Sequence, residues 1–234
     1  LCNESDLRIP MGCGEELCVA KTKGYIASMG VLMLLGLETA GCIGSITNEQ
    51  YQEYIERMVQ TANNLDTIIS SSTEWVESVK KELANCRRMI VLGYGKQYGN
   101  VLEGTLKMLE TMRFGVSGYE LEEFCHGIYN SINKDTYLIY IASDHQHKEK
   151  VPRLKSILSE TTNHQFVITN QIDGYQPTTK DCILPFIDDP DFSIFKYIIP
   201  FQIVSALIPY ELGIDPSIAS DPDFHKKIGS KSFA

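Results

Sequence analysis

The sequence lacks features that would place it in several large classes of protein. Its 21 Lys and Arg residues are outnumbered by 30 Asp and Glu residues, giving a formal net charge of −9. Such a surface repels a phosphate backbone, which argues against general nucleic-acid binding. None of the seven cysteines forms a C-x-x-C pair, and they lie in apolar contexts. They are therefore predicted to be reduced thiols of a cytoplasmic protein.

Signals for a metal or a nucleotide cofactor are also lacking. Cys125-His126 and His145-x-His147 have no further ligands at zinc-site spacing. The glycine turn that starts at Leu92 approximates a dinucleotide fingerprint, but its third glycine comes one residue late. No acidic residue follows at the end of a second strand, as that fingerprint requires. We expect neither a metal nor a cofactor.

A long uninterrupted apolar stretch is missing as well. The run from Gly24 to Leu37 is broken by Gly30 and Gly36 and falls short of the roughly 20 residues that span a bilayer. This run predicts a buried helix and no membrane segment.

The first third of the chain is predicted to be helical. One helix is expected from Glu15 to Leu37, and because it is apolar nearly all round, other elements must cover it. We expect this cover to come from a preceding domain or from another chain. A second helix is predicted from Asn48 to about Ile69, a break at Ser70–Thr73, and a third helix from Glu74 to Asn85. Leu7–Pro10 is a candidate short strand.

From Arg87 onward, apolar strands alternate with helices. The predicted strands are Met89–Leu92, Tyr137–Ala142, Phe166–Thr169 and Cys182–Leu184, and the predicted helices are Tyr98–Arg113, about Lys150–Glu160 and Ser193–Leu212. Wholly apolar strands separated by helices are typical of a parallel sheet that is covered on both faces. The fold class is therefore α/β, with a doubly wound parallel sheet.

Chemistry-bearing residues follow the first of these strands. Gly93 and Gly95 form a tight turn where such sheets bind ligands. Next, Glu103, Lys107 and Glu110 share one helix face at i, i+4 and i+7. Spacing alone fits a solvated salt-bridged face, whereas the adjoining turn favours a functional site. A separate line, expected to face the core, consists of Leu102, Leu106, Leu109 and Arg113.

Three motifs in this order resemble the SIS (sugar isomerase) family, and specifically the isomerase half of glucosamine-6-phosphate synthases. The motifs are Leu92-Gly93-x-Gly95, the segment from Leu102 to Glu110, and Glu122-Glu123-Phe124-Cys125-His126-Gly127. The segment from Glu16 to Lys23 and the closing segment from Asp221 to Lys227 also match the family pattern. The resemblance therefore covers nearly the whole chain.

The resemblance implies a flavodoxin-like three-layer αβα fold with preceding helices. Residues 1–45 would be the end of a first SIS domain, residues 46–86 a helical connector and residues 87–234 a second SIS domain. The family's phosphate loop, S-x-S-G-x-[ST], does not occur in the sequence. That loop belongs to the first of the family's two domains, so the chain is expected to lack most of that domain.

The resemblance also implies roles for individual residues in a phosphosugar isomerase or deaminase. Glu110 would move a proton between carbons 1 and 2 of a ketose or amino-sugar 6-phosphate, and His126 would assist ring opening. Lys227 would close over the sugar. In addition, Glu103, Lys107 and Val19, with Gly93 and Gly95, would bind or orient the substrate. The family's histidine often serves a neighbouring subunit, so a homodimer with a shared site is implied.

The sequence departs from the family pattern at two positions, and several alternative functions stay open. Ile128 and Asp223 replace a proline and an arginine of the family pattern. Fructosamine-6-phosphate deglycases, isomerising deaminases and amidotransferases share the chemistry, while other SIS modules only sense phosphosugars. The presence of Glu110, His126 and Lys227 favours an enzyme, because a sensor needs no proton transfer.

Overall fold

The computed structural model describes residues 4–16, 18–143, 148–186 and 189–230. Its centre is a parallel sheet of five strands in the order β2-β1-β3-β4-β5. The strands are β1 (Arg88–Gly93), β2 (Gly115–Glu120), β3 (Tyr137–Ala142), β4 (Gln165–Thr169) and β5 (Cys182–Ile183). The predicted doubly wound α/β fold is confirmed.

Nine α-helices surround this sheet within the described ranges. They are α1 (Lys23–Cys42), α2 (Asn48–Asn63), α3 (Leu65–Ala84), α4 (Tyr98–Met112), α5 (Leu121–Cys125), α6 (Lys150–Leu158), α7 (Ile194–Tyr197), α8 (Ile199–Glu211) and α9 (Phe224–Lys227). Short 3₁₀ turns occur at Gly95–Gln97 and Ile128–Ser131.

Alternation along each strand divides the core into two layers. Met89 and Val91 of β1 point to the side covered by α3, α4 and α8. Ile90 and Leu92 point to the opposite side, where α5 and α6 supply Phe124 and other apolar side chains. Because both faces are covered, the central strands carry apolar residues at nearly every position.

Sequence patterns missed the edge strand β2 and the short helix α5. Strand β2 reads Gly-Val-Ser-Gly-Tyr-Glu, and Val116 alone of its six residues is buried. It pairs with β1 from Arg88↔Gly115 to Gly93↔Glu120. An edge strand needs apolar residues on fewer positions, so periodicity did not reveal it.

The predicted break at Ser70–Thr73 is wrong, because α3 runs through it. Ser70 and Thr73 each donate their hydroxyl to the carbonyl four residues earlier, at 3.0 and 2.8 Å, and thereby stay within the helix. The break falls instead at Asn64. Helix α3 packs on the sheet through Val76 and Leu83, so it belongs to the covering layer.

Other element boundaries also differ from the expectation. Leu7–Pro10 is not a strand, and the last predicted helix is divided at Ile198 into α7 and α8. Pro200, which lacks a backbone N–H, stands in the first turn of α8, where that group has no helical partner.

Helix α1 is long and apolar enough to cross a membrane, which corrects the length argument made from the sequence. It has 20 residues, and an 18-residue window has a mean hydropathy of 1.5. None of its residues is buried, contrary to the expected buried helix, and Leu32 is 67% exposed. Core helices of water-soluble proteins have the same length and composition, so these two properties do not assign a membrane.

Gly104 sets how closely α4 approaches α8. A Cβ atom at this position would lie 2.7 Å from Cγ of Phe201, a side chain that is fully buried. We predict that Gly104→Ala destabilises the protein by about 1–3 kcal/mol through overpacking, although alanine is the better helix former by about 1 kcal/mol.

Gly36→Ala in α1 is the matched control, because no atom lies within 4 Å of its added Cβ. It should leave stability unchanged or raise it by about 0.5–1 kcal/mol. Urea denaturation of both variants measures the difference. Equal effects of the two substitutions would show that the α4–α8 contact is not tight.

Candidate active site

The charged face of α4 is not a solvated stripe, because Lys107 is buried and both glutamates are partly buried. Lys107 is 3% exposed. Its Nζ lies 2.7 Å from Glu110 Oε2 and 3.6 Å from Glu103 Oε1. A buried ammonium is costly unless carboxylates compensate its charge. The three residues therefore form one ionic unit, named here the α4 triad.

The leucines beside the triad point outward, so the prediction that they face the core is wrong. Leu102, Leu106 and Leu109 are 49%, 46% and 41% exposed. The side of α4 that faces the core instead carries Val101 and Met108, which are fully buried. An apolar stripe is normally assigned to the core, but α4 exposes this one and buries Lys107.

Burial also changes the protonation behaviour around Glu103. Its pKa is raised, first by burial and further by the charge of Glu110, while Lys107 opposes the shift. Tyr25 of α1 lies beside it, and the pKa of its hydroxyl is raised by burial and by Glu103. This hydroxyl donates to Asn100 Oδ1 at 3.1 Å, connecting α1 to the first turns of α4.

A cavity of about 930 Å³ opens at the end of the triad. Glu110 and Val19 both line it, so the structure brings together two of the predicted site residues. The full lining consists of Cys18, Val19, Lys21, Leu109, Glu110, Arg113, Phe114, Ala219, Ser220, Asp221, Pro222, Phe224 and His225. We call this space the Glu110 cavity.

A carboxylate cap shapes the loop that carries Val19. Residues 15–22 were expected to be helical, but Glu16 accepts hydrogen bonds from the backbone N–H groups of Thr22, Lys23 and Gly24 at 2.7–3.0 Å. Burial alone would raise the pKa of Glu16, yet these bonds lower it. The chain before Lys23 is thereby folded back, and Val19 reaches the cavity.

Lys227 lies close to the cavity without lining it. Its Nζ donates to both carboxylate oxygens of Asp221, at 2.9 and 2.8 Å, and its side chain is 63% exposed. Because Asp221 lines the cavity, Lys227 contacts the cavity wall through this ion pair.

His126 does not line the Glu110 cavity. Glu110 lies in the last turn of α4, before β2 begins, whereas His126 follows α5, after β2 ends. Glu110 is thus near the amino ends of the strands and His126 near their carboxyl ends. At a rise of about 3.3 Å per residue, the six residues of β2 separate these ends by about 17 Å. Within one chain, the structure does not bring His126 and Glu110 together.

The glycine turn lies at the opposite edge of the sheet from the end of α4. A Cβ atom at Gly93 would lie only 2.7 Å from Val101 Cγ2, so glycine at this position lets α4 pack closely on the sheet. Gly95 has a φ of +56°, which glycine adopts without strain. The hydroxyl of Tyr94, which is buried, donates to the Ser143 carbonyl at 2.9 Å and bridges the crevice between β1 and β3. Substrate binding by Gly93 and Gly95 remains a prediction.

Sequence reasoning missed three basic side chains that line the cavity: Lys21, Arg113 and His225. Lys21 and His225 stand inside segments that match the family pattern, but that pattern assigned them no role. Arg113 was placed on the line expected to face the core. Its backbone is left-handed, with φ 61° and ψ 32°, and this ends α4 and turns the side chain towards residues 215–218.

No cluster of three His, Cys, Asp or Glu side chains that could hold a metal ion occurs in the described ranges. His145 and His147 lie outside those ranges. The expected absence of a metal and of a cofactor stays a prediction.

The chain is similar to known proteins over most of its length. Residues 82–208 match the SIS domain family. A protein of Clostridium difficile 630, provisionally assigned as a phosphosugar isomerase, is 37% identical, with a TM-score of 0.93. The match covers 100% of this chain and 65% of that one. A Salmonella typhimurium LT2 protein, provisionally assigned as sugar-binding, is 37% identical over 80% of this chain and 57% of its own, with a TM-score of 0.73.

Curated relatives are longer proteins. The glutamine–fructose-6-phosphate aminotransferase (isomerizing) of Rhizobium meliloti (strain 1021) is 28% identical over 142 residues. This match covers 61% of the chain and 23% of the relative, so the matched segment is about a quarter of that protein. The family match spans more than half of the chain and includes the whole α4 triad. The chain therefore belongs to the SIS domain family.

Proposed function

We propose that the chain carries part of the active site of a phosphosugar isomerase or deaminase that moves a proton between carbons 1 and 2 of a ketose or amino-sugar 6-phosphate. The observation that carries this proposal is the burial of Lys107 between two carboxylates, one of which lines a cavity. A purely structural salt bridge has no need to present a carboxylate to a cavity.

Glu110 is the proton-transfer base in this proposal. Lys107 binds its Oε2 atom, while Oε1 receives no hydrogen bond from the described residues. The free oxygen can take a proton from carbon 1 and return it to carbon 2, with an enediol as the intermediate. Lys107 fixes the rotamer of the base and also lies 3.6 Å from Glu103.

His126 acts in the site of a neighbouring subunit. An imidazole suits ring opening because it can donate and accept protons near neutral pH. In its own chain, His126 lies at the sheet edge opposite Glu110, which supports a homodimer with shared sites. Lys227 would leave Asp221 to close over the sugar, and Val19 would contact it. A cytoplasmic location, without membrane or nucleic acid, completes the proposal.

The division of the chain also belongs to this proposal. Residues 1–45 would end a first SIS domain and residues 46–86 would connect it to the second domain at 87–234. The exposed apolar surfaces of α1 and of the leucines on α4 support a covering domain or subunit, since contiguous exposed apolar area marks contact surfaces.

A sensor that binds a phosphosugar without converting it is the second candidate, favoured by the 37% identity to a provisionally assigned sugar-binding protein. A fructosamine-6-phosphate deglycase is a variant of the first candidate, because it would use the same base. Turnover separates the sensor from both enzymes.

The first prediction concerns Glu110. In the intact protein, Glu110→Gln should lower turnover of the sugar phosphate by about 10²–10⁴-fold, because the amide cannot accept the proton. Binding of the same ligand, measured by calorimetry, should change only a few fold. Glu160→Gln, at an exposed position after α6, is the control and should retain full activity. Unchanged turnover in Glu110→Gln would exclude this residue as the base.

The second prediction concerns the shared site. Glu110→Gln and His126→Ala subunits, each inactive alone, should recover about a quarter of wild-type activity after mixing and exchange, since half of the dimers would contain one intact site of two. Exchange is checked by native mass spectrometry of differently tagged subunits. A fully exchanged mixture without activity would show that each subunit uses its own His126.

The third prediction concerns Lys107. Lys107→Met should destabilise the protein by about 3–5 kcal/mol, because two partly buried carboxylates lose their counter-ion. Lys150→Met in α6 removes an ion pair with Glu122 whose partners are 49% and 41% exposed, and should cost less than about 1 kcal/mol. Chemical denaturation compares the two variants. A similar cost for both would mean that the triad is solvated.

A further inference from the structure

The first turn of α1 is the place where this helix is attached to the layers around the sheet. None of the 20 residues of α1 is buried, yet Tyr25 and Ile26 pack against the core layer that contains α3, α4 and α8. Gln202 of α8 donates from Nε2 to the carbonyl of Thr22, just before the helix, at 3.3 Å. The hydroxyl of Tyr25 donates to Asn100 Oδ1 of α4 at 3.1 Å. The position of this turn therefore depends in part on a single tyrosine hydroxyl.

Asn100 is a rigid acceptor for that hydroxyl. The residue is almost completely buried, with 1% exposure. Its Nδ2 atom donates to Gln97 Oε1 and to the Ile194 carbonyl, both at 2.8 Å. Because both N–H bonds of the amide are used, the amide cannot rotate without breaking them, and Oδ1 stays directed at Tyr25. Loss of the Tyr25 hydroxyl would leave Oδ1 without a hydrogen bond from the described residues, and an unsatisfied buried acceptor is costly.

The Tyr25 hydroxyl meets α4 on the face that carries the α4 triad. Glu103 is three residues after Asn100, and helix positions with this spacing lie on one face. Burial and the charge of Glu103 raise the pKa of Tyr25. The hydroxyl therefore keeps its proton at neutral pH and remains a hydrogen-bond donor.

The loop that carries Val19 is tied to the first turn of α1. We call residues 18–22 the Val19 loop; it ends at Thr22, which is the N-cap residue of α1. It begins two residues after Glu16, whose carboxylate accepts hydrogen bonds from the backbone N–H groups of residues 22–24. Lys21 Nζ also donates to the Glu16 carbonyl at 2.8 Å. Since both ends of the loop are bound to the start of α1, a shift of the first turn would move Val19 with it.

The Val19 loop and Glu110 line the same cavity from different elements. Cys18 and Val19 come from the loop, whereas Glu110 comes from the last turn of α4. The hydrogen bond between Tyr25 and Asn100 joins the helix that follows the loop to the helix that carries Glu110. It therefore fixes the two sides of the cavity relative to each other.

We propose that Tyr25 is a positioning residue for the proposed reaction, because its hydroxyl, held by Asn100, fixes the Val19 loop opposite Glu110. Tyr25 is not among the residues that line the cavity, so its effect reaches the substrate through the loop. This inference rests on the proposed function, since the contact of Val19 with the sugar phosphate belongs to that proposal. It gives Tyr25 a role in substrate binding, whereas Glu110 acts in the chemical step.

The kinetic test is Tyr25→Phe in the intact protein, which removes the hydroxyl and keeps the ring. With fructose 6-phosphate or glucosamine 6-phosphate as the substrate, KM should rise about 3–10-fold, as for one lost hydrogen bond, while kcat stays within about two-fold. A displaced loop weakens the binding of substrate and transition state alike, which is why KM changes and kcat does not. Gln202→Met removes the other hydrogen bond to the same turn and should raise KM in the same direction.

A chemical label measures the position of the loop without turnover. Cys18 is partly buried and its thiol donates to the Pro216 carbonyl at 3.5 Å, whereas Cys125 is exposed. Reaction with N-ethylmaleimide, followed by peptide mass spectrometry, gives the labelling rate of Cys18 relative to Cys125. In Tyr25→Phe this ratio should rise about 3–10-fold, because the loop opens more often.

Tyr51→Phe is the matched control, because the Tyr51 hydroxyl donates to Glu38 near the opposite end of α1. It should leave KM, kcat and the labelling ratio unchanged. An unchanged KM in an active Tyr25→Phe enzyme would overturn the inference, as would a loss confined to kcat or an equal effect of the control. Unchanged labelling of Cys18 would overturn it too. A wild-type protein without turnover would contradict the proposed function, and the labelling ratio would still decide whether Tyr25 holds the loop.

Discussion

The ammonium group of Lys107 is the charge on which the proposed site depends. It is almost completely removed from water, at 3% exposure, and two carboxylates compensate it from the same helix face. Ions in such an environment lose several kcal/mol of hydration, so a carboxylate that turned away would give up its contact with a buried charge. Glu110 is therefore held at the cavity as a consequence of how Lys107 is buried.

The orientation of α4 follows from the same constraint. With its charged residues turned inward, the helix exposes Leu102, Leu106 and Leu109 and packs on α8 through Gly104. The exposed leucines and the apolar surface of α1 lie on helices that are joined by the hydrogen bond from Tyr25 to Asn100. In the proposed assembly, one covering surface would both shield these residues from water and complete the site.

The sequence predicted the central strands well, because β1, β3 and β4 are apolar at nearly every position and both faces of the sheet are covered. The prediction from the sequence failed at elements whose local residue pattern differs from what their place in the fold requires. Strand β2 lies at the edge and needs few apolar residues, and the hydroxyls of Ser70 and Thr73 bond back within α3 instead of breaking it. Side-chain caps, such as the one that Glu16 places on α1, leave no periodic signal in the sequence.

The candidate site was predicted in part. Motifs in the right order identified Glu103, Lys107 and Glu110 and put Val19 in the same site, and the structure places Glu110 and Val19 at one cavity. Spacing could not show that the charged stripe is buried, since i, i+4 and i+7 positions look the same on a solvated helix. Lys21, Arg113 and His225 were missed because they lie far apart in the sequence and come together at one cavity only in the folded chain.

The most direct test of the central claim is a crystal structure of the intact protein with an unreactive open-chain analogue, such as glucitol 6-phosphate or its 2-amino derivative. Carbons 1 and 2 of the analogue should lie within hydrogen-bond or contact distance of the Glu110 carboxylate, with Lys107 still bound to Oε2. An analogue bound instead at the carboxyl edge of the sheet, on the turn of Gly93 and Gly95 and away from Glu110, would contradict the account.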